Sequence, residues 1–362
     1  MIEIACPTFG PEEAAAVLEV LASGRVAHGP KVEAFEEAFA RHHGAEHGVA
    51  MSSGTAALSA LLHAHEIGPG DEVVLPAFTF FATVAAVLAV GAVPVLADID
   101  PETYCLAPAA ALAAISARTR AVMPVHLFGQ PADMPGFERL CRERGLALLE
   151  DAAQAHGAAV GTRHVGSFGG AAFSFYATKN LTTGEGGMAL TNDAGVAARL
   201  RRFRNHGRGA SGLHETVGTN SRMTELAAAV GLVQLGRLAA GNAARRENAR
   251  YFDERLRGVV VPRAVPGTTH VYHQYTLRVP AGADRDTFAA ELALRGVGAR
   301  VYYATPCHRQ PALRAGSARV EPLPETERAS REVLSIPVHP GLDDAARARI
   351  TDAVNALADA VH

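Results

Sequence analysis

The chain has 362 residues, 48% of them hydrophobic and 20% charged, with a formal net charge of −3. That composition can bury a large core and excludes disorder, collagen and long coiled coil, because the apolar fraction is high and no short period runs through the sequence. The slightly acidic balance argues against a nucleic-acid or anionic-membrane surface, either of which needs a basic field. Cys6, Cys105, Cys141 and Cys307 are widely spread with no CxxC pair. This is the pattern of reduced thiols in a cytoplasm rather than of a disulfide framework or zinc ribbon. The amino-terminal MIEIACPTFGPEE has neither the basic nor the apolar region of a signal peptide. Lysine occurs only at Lys31 and Lys179, so thirty-two of the 34 basic residues are arginine. Chemistry that needs a side-chain primary amine therefore has two candidates.

In chain order, Lys31 lies next to Pro30 before an amphipathic helix. Residues 47–53 predict a strand and 54–67 a helix; 72–76 predict a strand, 79–91 a helix and 93–100 a strand. The longest apolar stretch, Phe78 to Leu96, contains Thr79, Thr83, Gly91 and Pro94. It reads as a helix feeding a strand and not as a membrane span. A helix near 107–117 leads to the strand RAVMPVH, and one at 133–144 leads to LALLED. AAFSFYAT (171–178) and GMALTN (187–192) add two strands. Apolar strands separated by helices indicate a mostly parallel sheet covered on both faces. Arg222 to Arg257 predicts a long helix, weakened at Gly231, Gly236 and Gly241. Beyond it HQYTLRVP and GARVYY predict short strands, with helices at 284–295 and 343–361. The reading is α/β, with a large domain over 1–245 and a smaller C-terminal α+β domain over 246–362.

Four features fall where such a sheet puts its ligands, at the carboxyl ends of strands. Ser53-Gly54-Thr55-Ala56 joins a strand to a helix and offers backbone N–H groups to an anion; an ordinary N-cap explains it equally well. Pro76-Ala77-Phe78-Thr79-Phe80-Phe81 places aromatics at another strand end, for stacking on a flat ligand or for the core. In Glu150-Asp151-Ala152-Ala153-Gln154-Ala155-His156, Asp151 at a strand tip is placed to hold a charged heterocycle nitrogen, or else to cap a turn. Ser174-Phe175-Tyr176-Ala177-Thr178-Lys179-Asn180 runs on to Gly184-Glu185-Gly186-Gly187 and puts one of the two lysines between a strand and a glycine-rich turn. A Schiff-base lysine needs such a fixed, desolvated position, whereas Lys31 reads as a surface residue. Anion cradle, aromatic, aspartate and lysine in that order make a site for pyridoxal phosphate.

With these blocks the sequence resembles the DegT/DnrJ/EryC1/StrS aminotransferases, sugar aminotransferases of pyridoxal-phosphate fold type I. The resemblance covers essentially the whole chain, through VAHGPKVEAFE, SSGTAAL, PAFTFFAT, EDAAQAHGA, FSFYATKNLTTGEGG, RNHGR, GTNSRMTELAAAVGLVQL, VYHQY and SIPVHPGL. It implies a large domain with a mostly parallel, seven-stranded-type sheet. It also implies that Lys179 carries the cofactor and then shuttles a proton between the donor Cα and cofactor C4′. Asp151 would pair with the pyridinium nitrogen and Gln154 would lie near the phenolic oxygen. Phe80 would stack on the ring. The backbone of Gly54 and Thr55 and the Ser174 hydroxyl would hold the phosphate, joined by Asn220 of the partner subunit in a homodimer with shared active sites. The family's dehydratases carry histidine in place of the lysine, so Lys179 favours transamination.

The resemblance further implies a keto group on a nucleotide-linked sugar as acceptor and L-glutamate as the usual donor. A ketocyclitol of the scyllo-inosose type is the alternative acceptor, and a cofactor-binding regulator without turnover is a more distant reading. No metal, nucleic acid or membrane partner is expected, and the location expected is cytoplasmic. The run Arg199, Arg201, Arg202, Arg204 and Arg208 offers charge for a diphosphate, but a solvated helix end explains it better. His206 and His308 belong to family blocks and are not assigned a catalytic role.

Overall fold

The structure, a computed structural model, describes residues 1–314 and 316–361. Helices α1 (Pro11–Ser23) and α2 (Pro30–His43) precede an alternating run of β1 (His47–Met51), α3 (Gly54–Ala64), β2 (Glu72–Pro76), α4 (Ala82–Ala89), β3 (Val93–Ala97), α5 (Pro108–Ala114), β4 (Thr119–Val122), α6 (Met134–Arg144) and β5 (Ala147–Asp151). Short strands β6 (Ala159–Val160) and β7 (Arg163–His164) follow, then β8 (Gly170–Ser174), β9 (Gly187–Thr191), α7 (Ala194–Arg204) and the long α8 (Glu225–Asp253). The rest is β10 (Thr268–Thr269), β11 (Tyr275–Arg278), α9 (Arg285–Leu294), β12 (Arg319–Val320), α10 (Pro324–Glu332), β13 (Val333–Ile336) and α11 (Asp344–Asp359).

The main sheet has the order β1-β9-β8-β5-β4-β2-β3-β12. Its neighbours are parallel except at β9, which runs antiparallel to both β1 and β8. Seven strands are thus as expected, and the two-residue β12 from the C-terminal part adds an eighth at the edge. Strands β2 and β9 are buried along their whole length, as a sheet with helices on both faces requires. Helix starts are fixed locally: Ser53, Asp133, Asp193, Thr224, Asp284 and Asp343 each accept a backbone N–H from the first turn that follows.

The expected long helix forms, and one expected strand does not. Helix α8 is continuous through its three glycines. Gly231 lies against the Phe35 ring, where a Cβ would come within 2.7 Å, so the missing side chain lets α2 and α8 pack closely. By length and composition α8 could cross a membrane, yet its Asn242, Arg245 and Asn248 are buried in the protein. GARVYY is not a strand: only Arg300 bridges to Ser335, and Tyr303 then turns into the left-handed region at φ 60°. The chain leaves the small β11–β13 pair there and heads back to the large sheet.

That antiparallel pair anchors a separate core including Ala249, Phe252, Tyr275, Leu277, Leu292, Leu334 and Val354. The expected boundary at 245/246 falls inside α8, one turn before Ala249. The returning segment is latched at its far end, where Arg319 reaches the buried Glu72 at 3.3 Å; Ser116 Oγ (2.6 Å) and Arg118 (2.6 Å) hold the same carboxylate. Burial pushes the Glu72 carboxyl up, but the Ser116 and Arg118 donors outweigh it and hold it below the usual value. A depressed carboxyl stabilises the fold above its unfolded value and loses that contribution on acidification. Glu72→Gln is therefore expected to cost about 1–3 kcal/mol at neutral pH. The gap to the parent protein, measured by urea midpoints, should close below about pH 4.

Candidate active site

The residues singled out in the sequence converge on the carboxyl ends of the parallel strands. Ser53 caps α3, accepting the Ala56 N–H at 3.1 Å, so the first amides of the helix, at Gly54 and Thr55, have no partner within it. A Cβ on Gly54 would lie 2.7 Å from Ser174 Cβ, and one on Gly187 would lie 2.3 Å from the Ser53 carbonyl oxygen. The β1–α3 turn, the end of β8 and the start of β9 therefore meet with no room for larger residues. That contact sets the Ser174 side chain beside the free amides. Strand β8 ends at Ser174, short of the expected 178, because hydroxyls take over. Thr182 Oγ1 donates to the Phe175 carbonyl at 3.1 Å and accepts the Gly184 N–H at 2.9 Å, shaping the turn that carries Lys179.

Asp151 ends β5, almost fully buried. Its Oδ2 accepts from Thr83 Oγ1 at 2.8 Å and its Oδ1 from the Ala153 N–H at 3.1 Å. Thr79 Oγ1, in the loop before α4, lies 3.0 Å from Thr83 Oγ1. Burial raises the Asp151 carboxyl above its usual value, against the pull of those donors and of the Lys179 charge. Its neighbour Glu150 points to the opposite face of the strand. There it accepts the N–H groups of Gly166 (2.8 Å), Phe168 (3.0 Å) and Gly169 (3.0 Å). His126 joins them: its Nδ1 accepts the Ala132 N–H at 3.0 Å, so its Nε2 holds the hydrogen and donates to Glu150 at 3.1 Å. This buried network pins the strand tip, since His126 N–H also donates to the Asp151 carbonyl at 3.0 Å.

Lys179 sits across from Asp151, its amine in none of the ion pairs or hydrogen bonds among the described residues. Burial pushes the amine down to about 8, the Asp151 carboxylate opposing the shift. The next residue holds the lysine's backbone in place: Asn180 Nδ2 donates to Asn242 Oδ1 at 2.9 Å and to the Val271 carbonyl at 3.0 Å. His156 lies beneath, among the rings of Phe39, Phe173 and Phe175. Burial and then the lysine charge push it down to about 3, so it is a neutral packing group.

Gln154 is buried and closes the site on one side, its Oε1 accepting the Phe128 N–H at 2.7 Å and its Nε2 donating to Tyr303 Oη at 2.9 Å. Phe80 stands at the rim, 64% exposed, and Asn220 is exposed beside Ser221, whose carbonyl accepts the Ser52 N–H at 2.8 Å. Other candidates go elsewhere. Lys31 pairs with Glu19 at 2.9 Å on the surface. His308 Nε2 lies 2.7 Å from Glu327 Oε1 on α10, and His206 is exposed. The arginine run is mostly consumed internally: Arg204 by Glu36 and the Ala50 carbonyl, Arg202 by Glu215, Arg199 by the Ala64 carbonyl and Arg208 by the Gly212 carbonyl. Thr83, Tyr303 and Asn180 were missed as site residues. Only Thr83 carried a signal, its four-residue spacing from Thr79 at a helix start.

The profile of the DegT/DnrJ/EryC1/StrS aminotransferase family matches residues 7–355. The chain belongs to this family. Three curated relatives illustrate its range. A pleiotropic regulatory protein of Geobacillus stearothermophilus is 40% identical over 92% of this chain and 91% of its own. A UDP-N-acetyl-3-dehydro-α-D-glucosamine 3-aminotransferase of Acidithiobacillus ferrooxidans is 42% identical over 90% and 88%. A dTDP-3-amino-3,4,6-trideoxy-α-D-glucose transaminase of Streptomyces venezuelae is 41% identical over 97% and 93%. Among solved structures, S. venezuelae DesV in complex with a ketimine intermediate superposes with a TM-score of 0.92 at 41% identity, covering 96% of this chain and 94% of that one. The family's aminotransferases use pyridoxal phosphate, and the donor set here fits it: free helix amides beside a hydroxyl, a buried carboxylate and an unpaired amine.

The amine must be neutral to attack the cofactor aldehyde, and its neutral fraction grows with pH up to its own titration point. The rate at which cofactor-free protein develops visible absorbance on adding pyridoxal phosphate should thus rise about tenfold per pH unit and level off near 8. Asp151→Asn removes the charge that favours protonation, so the levelling should move to lower pH. A rate flat from pH 6 to 10 on stopped-flow traces would contradict this account of Lys179.

Proposed function

We propose that the protein transfers the amino group of L-glutamate to a keto carbon of a nucleoside-diphosphate-linked hexose. The observation that carries the reading is the unpaired, desolvated Lys179 amine across from the buried Asp151, in a chain whose relatives act on UDP- and dTDP-linked sugars. Both of those relatives are named for position 3 of the sugar, which makes a 3-keto sugar the first acceptor to try. Bound here, pyridoxal phosphate supplies an electron sink for the electrons left when the donor's Cα–H bond breaks.

In this reading Lys179 holds the cofactor covalently and, once displaced by the donor, carries the proton between Cα and C4′. Asp151 keeps the ring nitrogen protonated, with Thr83 and the Ala153 amide fixing both carboxylate oxygens. The free amides of Gly54 and Thr55 and the Ser174 hydroxyl hold the phosphate at the positive end of α3. Phe80 covers one face of the ring, and Gln154 faces the phenolic oxygen.

The same reading makes the working unit a homodimer in the cytoplasm. Four cysteines without a disulfide support that compartment. Phe80 and Tyr176, and Leu213 and Val217 in the 205–220 loop, are 64%, 48%, 70% and 86% exposed, apolar surface that a second copy would cover. Exposed Asn220 bridges Asn205 at the base of that loop and would reach the partner's phosphate. The reading divides the chain within α8, into a large domain over 1–245 and a small one over 246–362.

Three experiments test this. A nucleotide-linked 3-keto hexose should be aminated with glutamate as donor, and scyllo-inosose should not. Turnover of the cyclitol alone would favour that branch, and a protein that binds cofactor yet aminates neither would favour a regulator, as the name of the Geobacillus relative suggests. Asp151→Asn should keep the cofactor but lose at least about a hundredfold in kcat, since an amide cannot stabilise the pyridinium cation. Finally, Lys179→Ala and Asn220→Ala proteins, each impaired alone, should recover about a quarter of parental activity when subunits are exchanged in equal amounts. No recovery after confirmed exchange would mean that Asn220 serves its own subunit or only the fold.

A further inference from the structure

Tyr303 reaches the site from outside the blocks that supply its other residues. Its ring is held between Phe78, edge-on at 5.5 Å, and Phe128, stacked at 6.2 Å between centroids. Both Tyr303 and Phe128 adopt left-handed backbone, at φ 60° and 58°, conformations that persist for such side chains only where the surroundings enforce them. The enforcement is visible four residues on: Cys307 N–H donates to the Ala77 carbonyl at 3.0 Å and Cys307 Sγ to the Thr79 carbonyl at 3.4 Å. The segment is thereby tied to the loop that bears Phe80 and leads to Thr83.

The Gln154 amide is fixed from two sides. The Phe128 N–H can only donate, so the atom 2.7 Å from it must be Oε1, and Nε2 is the atom 2.9 Å from Tyr303 Oη. One Nε2 hydrogen goes to Tyr303, which leaves the other for a further acceptor. The titratable groups around this corner are Asp151 on β5, Lys179, and Tyr302 and Cys307 on the returning segment; none of them bonds to the Gln154 amide.

We propose that Tyr303 is a positioning residue: by accepting one Gln154 Nε2 hydrogen it aims the other at the cofactor's phenolic oxygen, so that the returning C-terminal segment orients a cofactor contact it does not itself make. This rests on the reading of Lys179 and Gln154 given above. An N–H held on that oxygen favours its ionised form and lets the lysine–cofactor linkage lose its proton at lower pH. Without the tyrosine hydroxyl the amide stays anchored at Oε1 but swings about it, and the bond weakens.

The test is the pH titration of the visible band of the resting holoenzyme. Tyr303→Phe keeps both ring contacts, and its midpoint should rise by about half to one pH unit, the scale of one net hydrogen bond. Its kcat should fall about three- to tenfold with the donor KM within about twofold. Gln154→Ala probes the same bond from its other end and should raise the midpoint at least as much, and the double variant should add nothing further. A midpoint unmoved by Tyr303→Phe, unmoved by Gln154→Ala, or shifts that add in the double variant overturns the proposal. Lys179→Ala serves as the control: it must lose the pH-dependent band, and a band that survives there overturns the reading of the site together with this proposal.

Discussion

A partly buried primary amine and a buried carboxylate that face one another set the terms for the rest of this site. Each destabilises its own charge by burial and favours the charge of the other, so Lys179 sits low, near 8, and Asp151 sits high. Neither is tied up: Asp151 is gripped by neutral donors from Thr83 and Ala153 rather than by the lysine. The amine is left reactive and the carboxylate is left available to a cation. A direct Lys–Asp ion pair would satisfy both groups and silence the chemistry.

Keeping them apart at a fixed distance is the work of the sheet. Asp151 ends a parallel strand whose tip is pinned through Glu150 and His126 on the other face. Lys179 lies in a turn between β8 and the one antiparallel strand of the main sheet, β9, which doubles back so that Gly187 abuts the Ser53–Gly54 turn. The antiparallel strand thus draws the free amides of α3 and the lysine to one edge of the crevice. The crevice at the carboxyl ends of such strands is where α/β sheets place ligands. The C-terminal part closes the other side through Tyr303 and the Cys307 clasp, and its far end is held at the opposite end of β2 by Arg319 and Glu72.

How much of this was legible follows from how local each signal is. Strand and helix alternation, the Ser53 cap and the order of glycine cradle, aspartate and lysine are short-range patterns, and lysine scarcity made Lys179 stand out. Ser174 and Gly54 could be paired only as members of family blocks; that they touch is a consequence of sheet order, which no spacing encodes. Tyr303 was invisible for a related reason. GARVYY has the composition of a strand, and only tertiary contacts turn Tyr303 into left-handed backbone and onto Gln154. The arginine run misled in the milder sense that its charges look free in sequence, whereas in the fold most are spent on carbonyls and on Glu36 and Glu215. α8 shows propensity overruled by packing, since Gly231 permits contact with Phe35 instead of breaking the helix.

The central claim, that the Lys179 amine carries the cofactor, is tested most directly by reducing the holoenzyme with borohydride and mapping the labelled peptide. With only two lysines in the chain the result is unambiguous. The account predicts a yellow protein and a single pyridoxyl label on Lys179. A label on Lys31, or protein that binds the cofactor yet yields no labelled lysine, would contradict it.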